Sequence, residues 1–292
     1  MIARTLLLAA LLLPAAAAQA CINYIGTDHQ GHSFSPDWIV GEELTEHMTG
    51  QVGRRWQMER AREVIADART KPTFDHLNNL GVLLIYQGQY PIAIRQFLMI
   101  ERTSPGRYET AANLGTALEL AGYDQVALRW IRIGMRRNND AHLQSEWLHA
   151  RILESKIALA KDPNYLAKHS VAGVQFGDAL VPPMPAMPAG NDGKPVTATM
   201  LQRSMSYQLF ERTQFVKPTD PIVANVLRDW ATLHLVGGSI ENANTLYELA
   251  VTYGAPHDAL MKRRQAHIRA ILAKPRKDGD EAGECAICGG YN

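Results

Sequence analysis

Two cysteines three positions apart, Cys285 and Cys288, stand near the carboxyl end in the run GECAICGGYN. A third, Cys21, opens the run CINYIGTDHQGHSF near the other end, with His29 and His32 close behind it. Thiols and imidazoles at short spacing support three chemistries: a dithiol redox centre, a zinc or copper site, or a structural disulfide. A thioredoxin-type centre begins a helix in a βαβ context. Here the pair follows KPRKDGDEAGE, a charged stretch with glycines nearby, so that setting is missing. A metal site built from Cys21, His29, His32, Cys285 and Cys288 requires the two chain ends to meet. The bland alternative is a polar amino-terminal extension with surface histidines. A disulfide between Cys285 and Cys288 on a flexible tail, residues 274–292, needs only an oxidising compartment. That local bridge is the expected state, with a bridge to Cys21 and a shared metal as the alternatives.

The first twenty residues, MIARTLLLAALLLPAAAAQA, address the compartment. Arg4 precedes an apolar run from Leu6 to Leu13, Pro14 breaks it, and Ala18-Gln19-Ala20 offers a small-x-small cleavage site. That order is a secretory signal peptide, and the run is too short to span a bilayer. Residues 1–20 are therefore expected to be removed, leaving the chain exported to the periplasm or cell envelope. Cys21 directly after the site resembles an imperfect lipobox, so attachment to a membrane through a lipidated Cys21 is the second expectation. The fate of Cys21 bears on the tail: if it carries lipid, the remaining cysteines form an even pair.

Removal of Arg4 from the 30 basic residues leaves 29 against 29 acidic ones. Balanced charge gives no global attraction to nucleic acid. The local clusters GRRWQMERAR, RWIRIGMRR and MKRRQAHIRAILAKPRK read as solvated helix faces. The sequence holds no G-x-S-x-G, no H-E-x-x-H and no phosphate-binding glycine-rich loop. No catalytic residue and no cofactor is expected, and the chain reads as a binding module rather than an enzyme.

The elements that would position such a surface are helical and repeat. Asn79-Leu80-Gly81 recurs as Asn113-Leu114-Gly115, 34 residues on, and Leu84, Gly88 and Ala93 recur as Leu118, Gly122 and Ala127. Each unit holds two stretches with apolar residues three and four apart. Glycines fall at the turns, and Pro105 ends the second helix of the first unit. Phe97 and Ile131 read as plugs between units. The period and these residues resemble the tetratricopeptide (TPR) family, with Leu80, Gly81, Tyr90, Ala93, Phe97 and Pro105 on its pattern. The stretch from RYETAANLGTALELAG to NNDAH also resembles a group of exported bacterial TPR proteins.

The expected fold is an all-α, TPR-like helical solenoid interrupted by a long Pro-rich loop. After an extension at 21–36, a helical domain covers 37–161, with units near 74–107 and 108–141 and capping helices at 37–48 and 51–69. A Pro/Gly-rich loop follows at 162–197, mobile from about Val181. A second helical segment covers 198–273 with a unit near 219–256, where Asp220 reads as an N-cap ahead of Pro221. His149 stands where the pattern has glycine.

The resemblance implies a concave surface lined by the first helix of each unit, holding a protein or peptide partner. His76, Asn79 and Tyr86 of the first unit and Glu109 and Asn113 of the second are the candidate contacts. Asn79 and Asn113 stand one period apart, placed to hydrogen-bond a partner's backbone. The alternative role for these asparagines is to satisfy loop or neighbouring-helix groups. A second function, metal or thiol handling in the envelope through the terminal Cys and His residues, remains the alternative to partner binding.

Overall fold

The computed structural model describes residues 24–36, 38–275 and 283–289, and the proposed leader and Cys21 lie outside them. Among the described residues the protein is mostly helical, with twelve α-helices and one two-stranded β-hairpin. None of these helices is long and apolar enough to cross a membrane.

The helices of the first half form where each apolar stripe is started and stopped by a specific residue. The hydroxyl of Thr73 accepts from the His76 N–H and starts α4 (Phe74–Tyr86). Gly88, at φ +74°, turns the chain into α5 (Tyr90–Thr103). Gly122, at φ +85°, makes the same turn between α6 (Tyr108–Leu120) and α7 (Asp124–Arg137). Within the units the small residues have a visible partner. A methyl group on Gly81 would stand 2.5 Å from the Phe97 ring, and one on Gly115 would stand 2.5 Å from Ile131 Cδ1. Phe97 and Ile131 are both fully buried, so the two glycines let neighbouring helices close on large side chains.

The run expected at 51–69 is two helices, α2 (Val52–Glu59) and α3 (Ala61–Thr70), preceded by α1 (Glu42–Thr49). Beyond α7 a turn at Ala141–Gln144 leads into α8 (Glu146–Leu159). Helix α8 is apolar on both sides and belongs to two cores. Ala150 and Leu153 pack with Phe97, Leu114 and Ile131, while Trp147, Leu148 and Ile152 pack with the second half.

That second half consists of α9 (Ala198–Thr213), α10 (Pro221–Gly237), α11 (Ile240–Thr252) and α12 (Ala259–Leu272). Side chains of Thr197, Asp220, Ser239 and Asp258 accept the first free backbone N–H groups of these four helices. Helix α9 lies against α8, α10, α1 and the turn at Ala141–Gln144, so it occupies part of the groove that the first half forms.

Two expectations about irregular segments need correction. Residues 162–197 are packed past Val181: Val181, Met184, Met187 and Val196 lie on the core, and Asn191 accepts from the Trp147 N–H and donates to Asn139 O. The described tail, 283–289, is docked rather than loose. Gly237 and Gly238 end α10 without side chains, and Ile287 fills that space, fully buried; a methyl on Gly238 would stand 2.7 Å from Ile287 Cδ1. The Ile287 N–H donates to Gly237 O, and Arg203 Nη2 donates to Gly289 O. The described part of the amino-terminal extension is a hairpin, β1 (Gly26–Thr27) antiparallel to β2 (Ser33–Phe34). It is tied to α11 through Thr27 and Glu241 and to the tail by the Gly283 N–H on Ser33 O.

Candidate functional site

Between the groove of the first half and α9 lies a cavity of about 200 Å³. Val82 and Ile85 of α4, Asn113, Thr116 and Leu120 of α6, and Phe215 and Val216 just past α9 line much of it. The rest of its wall is a network of charged side chains from α6, α8, α9 and the turn between α7 and α8.

Glu119 is the hub. It is buried on the inner face of α6, and both its carboxylate oxygens are shared. Arg212 Nη1 donates to Oε1 at 2.6 Å and Nη2 to Oε2 at 3.0 Å, a bidentate pair. Lys156 Nζ donates to Oε1 at 3.1 Å and also pairs with Asp124 at 2.8 Å. His149 Nε2 reaches Oε2 at 2.8 Å, and its Nδ1 faces Glu146 Oε2 at 3.6 Å. The other Glu146 oxygen bonds His142 Nδ1, and the His142 ring stacks on Tyr207 of α9. His142, Leu143 and Gln144 all have φ between 52° and 60°, the left-handed region that costs a side-chain-bearing residue about 1–2 kcal/mol. That strained turn carries His142 to Glu146 and Tyr207.

Burial alone would neutralise these carboxylates. Arg212 and His149 outweigh it at Glu119 and hold its pKa well below the carboxylate range. The His142 hydrogen bond and the nearby His149 charge do the same at Glu146, down to about 2. At His149 burial works toward the neutral ring, but Glu119 and Glu146 on its two sides raise its pKa to about 9, so it is a cation at neutral pH. Glu211 is different. Burial raises its pKa, only His142 opposes this, and its carboxyl hydrogen-bonds no described residue. The Tyr207 hydroxyl, also without a hydrogen-bond partner among the described residues, is raised by burial too. The cavity thus combines a buried charge network, an apolar lining, and open polar groups at Glu211 and Tyr207.

The five expected contact residues are dispersed. Asn113 lines the cavity, but its Nδ2 donates to Asn78 Oδ1 at 3.2 Å. Asn79 is exposed and does not line the cavity; the asparagine that meets Asn113 is its neighbour Asn78. Tyr86 is buried with its ring 4.7 Å from Phe215. His76 Nδ1 bonds Lys71 O, and Glu109 Oε2 is buried without a partner among the described residues. His142, Glu146, Tyr207, Glu211 and Arg212 carry no sequence signal of their own. The one available hint was His149 at a position where the repeat has glycine.

The terminal residues separate in the same way. Cys285 and Cys288 are joined by a disulfide, with Cα atoms 5.2 Å apart, which removes both thiolates from any ligand set while the bridge is closed. His32 Nδ1 faces Asp28 at 3.5 Å. Among the described residues no group of three or more His, Cys, Asp or Glu side chains is placed to hold a metal ion. No model of a known protein family matches the sequence, and no curated protein matches it.

Proposed function

We propose that the protein is an exported binding module with a TPR-like architecture, holding a peptide segment of a partner protein in the cavity between α4, α6 and α9. The observation that carries this reading is the pairing of an apolar lining (Val82, Ile85, Phe215) with a half-buried carboxyl at Glu211 and a hydroxyl at Tyr207 that hydrogen-bond none of the described residues. Pockets of this type bury an apolar group and orient it with a few polar contacts. A peptide with an apolar side chain next to a basic group, either a lysine or its own free amino end, complements that wall chemically. The Glu119 network has a different role: it fastens α9 to the groove and fixes the cavity's shape. Function outside the cytoplasm, with or without lipid on Cys21, belongs to the same proposal, and intact mass of the native protein reads both cleavage after Ala20 and lipidation.

Peptide-library selection on the immobilised protein, followed by titration calorimetry, tests the binding. Glu211→Gln and Tyr207→Phe should weaken the selected peptides about tenfold each. Thr116→Trp should fill the cavity and abolish binding. Equal enrichment of peptides on the Thr116→Trp protein would remove the cavity from the explanation.

A further inference from the structure

A second cavity, of about 390 Å³, shares no lining residue with the first and lies where the packed loop meets α10, α11 and α12. Its buried charged groups are Asp229 of α10, which is 7% exposed, and Arg264 of α12, which is 5% exposed. A buried acid and a buried base in one cavity ordinarily pair with each other. These two do not: among the described residues no ion pair joins them.

Each is instead held from behind. Ser170 donates to Asp229 Oδ2 at 2.6 Å, while the Ser170 hydroxyl itself accepts from the Gly173 and Val174 N–H groups. Arg264 Nη2 donates to Gly177 O and Ala179 O, which fixes the guanidinium against the loop. Asp229 Oδ1 is left without a hydrogen bond to any described residue and is not among the atoms sealed from solvent, while Arg264 has no carboxylate partner among the described residues and its Nε is sealed without a partner. The Tyr247 hydroxyl, bonded to Thr232 Oγ1 at 2.9 Å, feels both groups: Arg264 hydrogen-bonds it, and the Asp229 charge acts on it in the opposite sense. Burial raises the Asp229 pKa to about 6, and the Ser170 hydrogen bond and the Arg228 charge offset only part of that rise.

The wall carries three cations, Lys168, Arg228 and Arg264, and three acids, Asp178, Asp229 and Asp258. A simple anion or a simple cation therefore gains nothing from the cavity as a whole. A ligand that carries both charges can meet Arg264 and Asp229 within the one cavity, where Phe176 and Met261 add apolar lining. The volume lies within the range for small-molecule sites.

We propose that this cavity is a binding site for a small zwitterion of the α-amino-acid class, its carboxylate on Arg264 and its ammonium on Asp229. The site is independent of the peptide cavity. Ligand-observed NMR with the twenty common L-amino acids, and with acetate, methylammonium and glucose as controls, tests it on the full exported chain. Saturable binding of at least one amino acid is expected, at least about tenfold tighter than either single-charge control. Asp229→Asn and Arg264→Lys should each weaken it about tenfold or more. Because buried substitutions can unfold a protein, backbone chemical-shift mapping on the wild type gives a readout without mutation. Shifts should centre on Ser170, Asp229 and Arg264. No amino-acid binding at millimolar concentration overturns the proposal, as does equal binding of acetate, methylammonium or glucose, or shifts that map to the α4–α9 cavity instead.

Discussion

His149 offers the sharpest test of the charge network, because its protonation is tied to a defined pH window. The folded protein holds its pKa near 9, against an ordinary value of 6.5. A raised histidine contributes stability that is complete below pH 6.5 and is lost as the pH rises through 9. At about 1.4 kcal/mol per pH unit, the difference amounts to about 3 kcal/mol. Glu119 and Glu146, the two carboxylates that face the ring, are both held below ordinary carboxylate values and stay ionised throughout that window. Replacing His149 by glutamine keeps a donor for Glu119 and removes the charge. Urea unfolding of the two proteins should show the variant about 3 kcal/mol less stable near pH 6, with the gap closing to roughly zero near pH 9.5. If wild type and His149→Gln lose stability with the same slope between these pH values, His149 is not the cation of the network and the reasoning fails.

Other expectations follow from packing and burial. Gly115→Ala drives a methyl into Ile131 and should cost about 1–3 kcal/mol by overpacking, read as a lowered urea midpoint; an unchanged midpoint would mean the two helices are not in close contact. His234 is fully buried with both ring nitrogens unpartnered among the described residues, and burial depresses its pKa to about 3. Its unfolded form takes up a proton first, so stability is lost as the pH falls from 6.5 toward 3. His234→Leu should therefore gain on wild type by a further ~3 kcal/mol between about pH 7.5 and pH 4.5, and a pH-independent difference would contradict this. The double change Cys285→Ser/Cys288→Ser frees the loop that presents Ile287. Loss of up to about 1.5–3 kcal/mol of side-chain burial should lower the Tm by several degrees, and an unchanged Tm would show that the tail docks without its bridge.

What the sequence made legible is what local spacing controls. Gly81 with Phe97, Gly115 with Ile131, the turn glycines at 88 and 122, and the Asp220 cap all lie within one repeat of their partners. The disulfide between Cys285 and Cys288 is local in the same sense. The candidate site is assembled from residues far apart in the chain: Glu119 and Arg212 are 93 positions apart, and nothing in either segment announces the other. Helix α9 reads as an amphipathic helix, but its seat inside the groove depends on α8 being apolar on two sides. The period pairs Asn113 with Asn79, but the hydrogen bond across the two helices goes to Asn78, a contact that sequence spacing alone does not specify. The tail looked loose because its anchor, Ile287, is a single apolar residue whose pocket exists only where two glycines end α10.

That anchorage changes how the molecule should come apart. In an open helical array each unit touches only its neighbours, so the terminal units fray first and opening spreads inward. Here the hairpin near one end is bonded to the tail near the other, and α1 packs on α11. A closed circuit of contacts has no free edge from which to unzip. Amide exchange in α1 and α11 should then follow a single opening reaction, with protection close to that of α10 at the centre.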